Sequence, residues 1–222
     1  LKTEQAVARM SQGNLSGVVV GEFEADSSYP QVQVITEQAI LEASLTLIRQ
    51  AKAQEHLDLA MFYLSERQII KALIAAQQRG VKVRVLLDPN KDAFGREKNG
   101  IPNRPVAAEL HAAGVKIRWC NTRGEQCHNK MLMKSNATQA ELILGSANFT
   151  ARNLKNYNLE TNLRVVGQMQ DPVFQDAQHY FNTAWSNLEG KNMSVDYAVY
   201  ADESKWKYAL YRFMEWSGLS TF

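Results

Sequence analysis

Short β-branched runs alternate with helix-patterned segments along most of this chain, and that alternation limits the folds open to it. The runs "QVQVIT" (31–36), "LDLAMFYL" (57–64) and "VKVRVLL" (81–87) predict strands. Helical periodicity separates them at 37–54 and 66–79. The third run is almost continuously apolar, which is typical of a strand covered on both faces. We therefore predict an α/β fold, with a mixed β-sheet flanked by helices.

The second half of the chain continues the same pattern after a polar loop at 88–103, which is long enough to line a site. Pro105 suits the first turn of a helix that Gly114 ends, and another helix begins near Asp171. Four further strands are predicted, at "VKIRW", "NKMLM", "ELILG" and "LETNLRVV".

Three segments are expected along the chain. Residues 1–30 form a turn-rich lead-in or linker, residues 31–190 form the α/β domain, and residues 191–222 form an aromatic-rich C-terminal extension. Because the chain starts at Leu1 rather than Met, we expect it to be a fragment, and targeting signals ahead of it stay open.

Composition sets the classes of partner. With 222 residues and 45% hydrophobic residues the chain can bury a core of ordinary size. Its net charge of +2, with acids and bases interspersed, argues against a broad nucleic-acid-binding surface but allows a local phosphate site. No run approaches the roughly 20 apolar residues of a membrane span.

Cys120 and Cys127 flank the short stretch "NTRGEQ". If "VKIRWC" and "CHNKMLM" are adjacent antiparallel strands, the two thiols face each other and a disulfide is feasible. That bond would favour an oxidising compartment, such as the periplasm or the outside of the cell, whereas two free thiols would leave the compartment open. A metal site is not expected, because no other cysteine and no cluster of histidines accompanies the pair.

Polar groups gather at the ends of three successive predicted strands. His128 and Lys130 stand two residues apart and therefore project to one face of a strand. The next strand ends in "GSAN", which supplies Ser146 and Asn148 and whose small residues allow close approach to an occupant of the site. Glu160 opens the strand after that.

This set of side chains suits a phosphodiester. An ammonium and an amide neutralise the non-bridging oxygens, while an imidazole attacks phosphorus or protonates the departing oxygen. Glu160 is expected to orient the imidazole of His128 and to favour its charged form. Each of these short motifs alone is common, since an isolated His-X-Lys is usually a solvent-exposed pair. Their occurrence in this order along the chain is what indicates a phosphodiester site.

His128-Asn129-Lys130, followed by "GSANFT" and then by "NLE", resembles the signature half-site of the phospholipase D superfamily. The resemblance extends over about residues 32–187, through the strand–helix–strand segment "LAMFYLSERQIIKALIAAQQRGVKVRVLLD". It implies a phospholipase D-like half-domain without metal or cofactor. By that resemblance His128 is the nucleophile or general acid, Lys130 and Asn148 bind the phosphate, Ser146 supports the phosphate and the histidine, and Glu160 is the carboxylate partner of the histidine.

The match departs from the family signature at one position. Ser135 stands where the signature has an aspartate. In the family that aspartate is mainly structural, so its replacement bears on local geometry more than on the chemistry.

The sequence holds half of a complete site. Family members use two such half-sites, one histidine attacking and the other protonating the leaving group. None of the remaining histidines, His56, His111 and His179, begins a His-X-Lys. We expect the chain to be the C-terminal half of a longer two-site protein that includes an N-terminal half-domain. The alternative is a homodimer that brings two copies of His128 together.

Three functions follow from these observations. The first is a phosphodiesterase or phosphatidyltransferase half-domain that acts on phospholipids through a phosphohistidine. The aromatic tail "KWKYALYRFMEWSGLSTF" then either lies in a lipid interface as a peripheral membrane contact or packs beneath the domain. The second is an endonuclease of the same superfamily, against which the near-neutral charge argues. The third is a non-catalytic half-domain that binds anions or lipids, favoured by Ser135 alone.

Overall fold

A computed structural model describes residues 30–93, 96–97 and 99–217 and confirms the predicted α/β fold with a mixed sheet. The predicted lead-in lies almost entirely outside the described residues. In chain order the elements are β1 (Gln31–Thr36), α1 (Gln38–Gln50), β2 (His56–Met61), α2 (Arg67–Gln78), β3 (Lys82–Leu87), β4 (Asp92–Ala93), β5 (Arg96–Glu97), α3 (Asn103–Ala112), β6 (Lys116–Cys120), β7 (Lys130–Ser135), β8 (Gln139–Gly145), α4 (Ala151–Leu154), β9 (Thr161–Gln168), α5 (Pro172–Ser186), β10 (Ser194–Asp196) and α6 (Lys205–Ser217), with 3-10 turns at Leu188–Gly190 and Tyr197–Val199.

Eight of these strands form one sheet in the order β1-β9-β8-β7-β2-β3-β6-β10, and β4 pairs with β5 separately. Strands β2, β3 and β6 run parallel to one another, and each remaining neighbour in the large sheet is antiparallel. The antiparallel ladder between β2 and β7 joins the parallel and antiparallel parts, and so β7 lies in the middle of the sheet.

The helices cover both faces of the sheet. Helices α1, α2 and α3 bury their apolar side against one face, which includes Leu59 and Leu132. Helix α5 covers part of the other face, where Phe174 and Phe181 belong to the same buried cluster as Met131 and Met133. Because side chains alternate along a strand, Met131 and Leu132 belong to opposite cores.

The start of α2 differs from the pattern in the sequence by one residue. Ser65 and Gln68 read as a capping box, but Glu66 is the N-cap and its carboxylate accepts a hydrogen bond from the Gln68 backbone N–H. The Ser65 hydroxyl instead donates to Glu215 of α6 at 2.6 Å. Gly80 follows the helix with a left-handed φ of 86°, the conformation that commonly ends a helix.

The predicted hairpin between β6 and β7 is wrong, although its cysteines are bridged. Strands β2 and β3 lie between β6 and β7, so residues 121–129 cross the ends of two strands. A disulfide nevertheless joins Cys120 to Cys127, with their Cα atoms 6.2 Å apart. The crossing segment brings Cys127 back over the end of β6 without any ladder between the two strands.

The C-terminal segment is attached to the domain. Strand β10 pairs with β6, so the sheet continues past residue 190. Tyr211 of α6 is fully buried, and Arg67 donates hydrogen bonds to both its hydroxyl and the carboxylate of Glu109. Across the described ranges, no helix combines the length and apolarity that a membrane crossing requires.

Candidate active site

The predicted site residues lie at one end of the sheet. His128 comes just before β7 and Lys130 opens that strand, while Ser146 follows the last residue of β8. Glu160 immediately precedes β9. Because β7, β8 and β9 are successive antiparallel strands, the start of β7, the end of β8 and the start of β9 share one edge.

Lys130 and His128 are in direct contact. The Lys130 Nζ lies 3.0 Å from Nε2 of His128. An ammonium has no acceptor, so it donates, Nε2 accepts, and the ring proton is on Nδ1. The imidazole ring packs 4.9 Å from the Phe62 ring.

Both members of this pair have lowered pKa values. Desolvation lowers the pKa of His128, and the charge of Lys130 lowers it further. Burial lowers the pKa of Lys130 to about 8, although the carboxylate of Glu160 opposes that change. The pair therefore favours a neutral imidazole beside a cation, which suits a nucleophile next to an anion.

Glu160 has partners other than the predicted one. Its buried carboxylate accepts hydrogen bonds from the Ser146 hydroxyl and from the side-chain amide of Asn153. Among the described residues it makes no hydrogen bond to His128, and the pKa of His128 falls rather than rises. The expected Glu160–His128 pair is therefore corrected: Glu160 holds Ser146 and supports the charge of Lys130.

Asn153 was missed in the sequence, because nothing in "ARNL" distinguishes it from an ordinary helix residue. It lies in the single-turn helix α4, whose N-cap Thr150 accepts from the Asn153 backbone N–H. The Thr150 hydroxyl also contacts the Asn153 side chain at 2.7 Å. This short helix thus aims the amide of Asn153 at Glu160.

The glycine of "GSAN" allows β9 to approach β8 closely, rather than making room for a molecule bound in the site. A Cβ on Gly145 would come within 2.4 Å of the Thr161 carbonyl oxygen and 2.6 Å of the Asn162 Cα. Ser146 then hydrogen-bonds to the Thr161 backbone, accepting from its N–H at 3.0 Å. The close approach that the small residues permit is therefore between two neighbouring strands.

Asn148 is held by its oxygen and presents its amide. Its Oδ1 accepts from the Tyr63 backbone N–H at 3.3 Å. No other described residue accepts from its Nδ2, which is therefore available to an anion. Phe62, the residue before Tyr63, contacts His128 and lies 5.5 Å from the Lys130 Nζ. Two consecutive residues after β2 thus contact the site residues, Phe62 through its ring and Tyr63 through its backbone N–H. A buried strand sequence does not reveal this role.

Ser135 lies far from these groups. It is buried at the last position of β7, opposite His56, where it lines a shallow pocket of about 530 Å³. Six residues of extended chain separate the two ends of β7 by roughly 16 Å. The replacement of the signature aspartate is therefore remote from His128.

The other histidines do not complete the site within the described ranges. His56 pairs with Ser135 at the far end of the sheet, His111 stacks on Tyr197, and His179 faces Glu189. The described residues also contain no group of three or more His, Cys, Asp or Glu side chains arranged to hold a metal ion.

Comparisons with known proteins agree on one family. The family model described as "Cardiolipin synthase, PLD-like domain" matches residues 45–185, which is more than half of the chain. A curated phospholipase D from Rickettsia conorii is 34% identical over 102 residues, which are 45% of this chain and 44% of that protein. The matched part thus spans less than half of the relative's length.

Solved structures share the fold. Nuc from Salmonella typhimurium, a phospholipase D family member, aligns with a TM-score of 0.58 at 24% identity, over 76% of this chain and 99% of its own. Phosphatidylserine synthase from Haemophilus influenzae aligns with a TM-score of 0.59 at 11% identity, over 98% of this chain and 53% of its own. The fold of this chain thus corresponds to nearly the whole of the first solved protein and to about half of the second. With the family model covering most of its α/β core, this chain belongs to the phospholipase D-like family.

Proposed function

We propose that this chain supplies one half of a phosphodiesterase or phosphatidyltransferase site that acts on phospholipids through a phosphohistidine on His128. The observation that carries the proposal is the contact between the Lys130 ammonium and Nε2 of His128, beside the available amide of Asn148. Membership of the phospholipase D-like family supports a phosphodiester substrate. The proposed chemistry needs neither a metal ion nor a cofactor.

In the first step the lone pair on Nε2 of His128 attacks phosphorus. A P–N bond forms, the P–O bond to the leaving group breaks, and the electron pair leaves with that oxygen. The Lys130 ammonium moves from Nε2 to a non-bridging oxygen, and the amide of Asn148 donates to another. The lowered pKa of His128 keeps the ring neutral, as attack requires.

The leaving alkoxide needs a proton, and none of the residues that the structure describes is placed to donate it from the side opposite His128. Lys130 lies on the same side as His128, and Glu160 is held by Ser146 and Asn153. A second histidine, from an N-terminal half-domain or from a second copy of the chain, supplies that proton. The same histidine then takes a proton from water, or from an alcohol in a transfer reaction, as that oxygen displaces His128.

An exposed apolar surface beside the site supports the need for a second half. Val34, Leu163, Leu144 and Met131 form a row across β1, β9, β8 and β7, on the sheet face opposite to the Lys130 side chain. Helix α5 leaves the outer part of this row uncovered, with Val34 at 56% and Leu163 at 40% exposure. An exposed apolar row of this kind suits the binding of a second domain.

Helix α6 supports a lipid substrate. Leu210 and Met214 pack against the core, whereas Trp206, Phe213 and Trp216 are exposed. Each of the two alternatives for the tail thus applies to part of it, because some of its side chains pack on the domain and others remain exposed. Lys205 and Arg212 are exposed on the same side as the three aromatic rings. Aromatic and cationic side chains together on one helix face suit an anionic membrane interface.

A hydrogen bond from the packed side of α6 to the segment after β2 supports a position of this helix near the site. Glu215 accepts a hydrogen bond from Ser65, whose backbone N–H donates to the Phe149 carbonyl one residue after Asn148. We expect vesicles of phosphatidylcholine and phosphatidylglycerol to bind the protein, and the triple change W206A/F213A/W216A to weaken binding about tenfold or more. The exposed Val199 provides the control V199A, which should bind normally.

The proposed activity is tested by presenting phospholipid vesicles and single-stranded DNA side by side, with and without EDTA. We expect cleavage of lipid that resists EDTA and disappears in H128A. Cleavage of DNA without cleavage of lipid would replace the phospholipid assignment with an endonuclease. Sulfate binding without any cleavage, in a preparation shown to hold two half-sites, would instead favour the non-catalytic alternative.

A further inference from the structure

His128 precedes β7, so the sheet ladder does not hold it. It lies near the end of residues 121–129, the segment that crosses from β6 to β7. Its ring contacts the flexible side chain of Lys130 and the Phe62 ring. The position of the ring therefore depends on how the backbone on either side of it is anchored.

The residue before His128 is anchored twice. The Cys127 backbone N–H donates to a carboxylate oxygen of Asp88 at 2.8 Å, and its sulfur is bonded to Cys120. Asp88 is buried just after β3, and Cys120 is buried at the end of β6. Cys127 is thus tied to the ends of two parallel strands of the core.

The residue after His128 is anchored as well. The Asn129 carbonyl accepts from the Phe62 backbone N–H at 2.8 Å, and its side-chain oxygen accepts from the Tyr180 hydroxyl of α5 at 2.6 Å. Its side-chain amide contacts the sulfur of Cys127 at 3.1 Å. The disulfide therefore supports the anchors on both sides of His128.

We propose that Asp88 and the Cys120–Cys127 disulfide are positioning groups for His128, which hold its ring against Phe62 with Nε2 at Lys130. The catalytic part of this inference rests on the proposed function, whereas the positioning part concerns the chain itself. Opening the disulfide removes one of the two anchors on Cys127 and lets residues 121–129 explore more conformations. Displacement of a reacting group by about 1 Å can cost on the order of a hundredfold in rate.

The bond is also chemically reversible. A dithiol reduces it by thiol–disulfide exchange, so that Cys120 and Cys127 each gain a hydrogen and the dithiol becomes a disulfide. The half-site is consequently in its working arrangement only where the disulfide persists, and we infer that it operates in an oxidising compartment.

The positioning role is tested without any assay of catalysis, by titrating the imidazoles by NMR. The resonance that disappears in H128A identifies His128 among the four histidines. In the oxidised protein His128 should titrate below an ordinary histidine, because it is desolvated and faces Lys130. After reduction, or in C120S/C127S, its titration should move toward the ordinary value, and reoxidation of the wild type should restore it.

Two controls separate positioning from general stabilisation. His56, at the far end of the sheet, should keep its lowered pKa, and circular dichroism should show that the reduced protein is folded at the temperature used. In D88N the disulfide remains, but one side-chain acceptor oxygen replaces the two that accept from the backbone N–H groups of Cys127 and Asn90. The pKa of His128 should therefore move toward the ordinary value in this variant as well. An unchanged His128 titration in the folded, reduced protein would overturn the proposal.

The catalytic consequence is measured on a preparation with two half-sites. We expect reduction to lower kcat about tenfold or more while KM changes less than about twofold, with recovery on reoxidation. C120S/C127S should be slow and insensitive to the dithiol. If reduction lowered kcat while the pKa of His128 stayed the same, the positioning role would be contradicted. Absence of hydrolysis in both the oxidised and the reduced protein would reject the proposed function, and the NMR titration alone would then decide whether the disulfide positions His128.

Discussion

At the scale of single residues, the contact between Lys130 and His128 explains how one end of the sheet holds a cation beside the proposed nucleophile. Without an anion the ammonium donates to Nε2 and keeps the ring neutral. A bound phosphate competes for the same ammonium, which then releases the lone pair of the ring. A pKa of about 8 leaves Lys130 mostly charged at neutral pH. Its ammonium can therefore donate either to Nε2 of His128 or to a bound phosphate at that pH.

The charge of Lys130 predicts how anion binding depends on pH. Sulfate affinity should be highest below about pH 8 and fall as the pH rises through that value, because the ammonium is present below its pKa and lost above it. In K130R the fall near pH 8 should disappear, since arginine stays charged to above about pH 12. Calorimetric titration at a series of pH values measures both. K134R, at the other end of β7, should keep the wild-type profile, and the same profile in K130R would exclude Lys130 as the titrating group.

Ser135 predicts a mild phenotype for the residue that the family signature has there. S135D introduces a carboxylate that faces His56 across the pocket at the far end of β7. We expect sulfate affinity within about twofold of wild type, because roughly 16 Å of strand separates the change from Lys130. The pKa of His56, which desolvation lowers in the wild type, should rise because the new carboxylate favours the charged ring. A loss of sulfate binding larger than tenfold would show that position 135 shapes the anion site after all.

At the scale of elements, alternation in the sequence predicted seven of the eight strands of the large sheet and missed the three-residue strand β10. It did not predict how the strands connect. The hairpin prediction for β6 and β7 failed because a nine-residue connection between two strands fits a hairpin loop as well as a crossing over two strand ends. The convergence of His128, Lys130, Ser146 and Asn148 was predictable, since it follows from strand order. The partners of Glu160 were not, because Asn153 reaches it from a single-turn helix whose sequence has no distinctive pattern.

The junction between β8 and β9 predicts a severe effect of a small substitution. G145A places a Cβ against the backbone of Thr161 and Asn162, which cannot move without disturbing the ladder. We expect the free energy of unfolding to fall by about 3 kcal/mol, at the upper end for overpacking. In G124A the new Cβ meets no atom within 4 Å, so that only the positive φ of the glycine matters and the loss should be about 1 kcal/mol. Urea denaturation compares the two, and equal losses would contradict the steric account.

At the scale of the whole molecule, the proposed partner and the proposed membrane occupy different surfaces. The apolar row from Val34 to Met131 lies on the face that α5 partly covers, whereas α6 packs on α3 beside the opposite face. A second family domain could therefore complete the site while the aromatic face of α6 remains exposed to lipid. The chain matches nearly all of one solved relative and about half of another, so both a dimer and a two-domain protein are consistent with the fold.

The half-site account makes a prediction that depends on the leaving group. A nitrophenolate departs without a proton donor, whereas an alkoxide requires one. A monomeric preparation of this chain should therefore accept the phosphoryl group from a nitrophenyl phosphodiester but leave a dialkyl phosphodiester uncleaved. Release of the phosphoryl group from His128 should be slow, because within the described ranges none of the other histidines faces His128 to activate water.

The most direct measurement is the burst of nitrophenolate from a preparation shown by sedimentation to be monomeric, followed by intact mass after quenching at alkaline pH. We predict a burst of about one nitrophenolate per chain and a matching increase in mass that peptide mapping assigns to His128, both absent in H128A, with little turnover afterwards. Steady turnover by the monomer, or an equal burst in H128A, would contradict the claim that this chain carries half of a site built on His128.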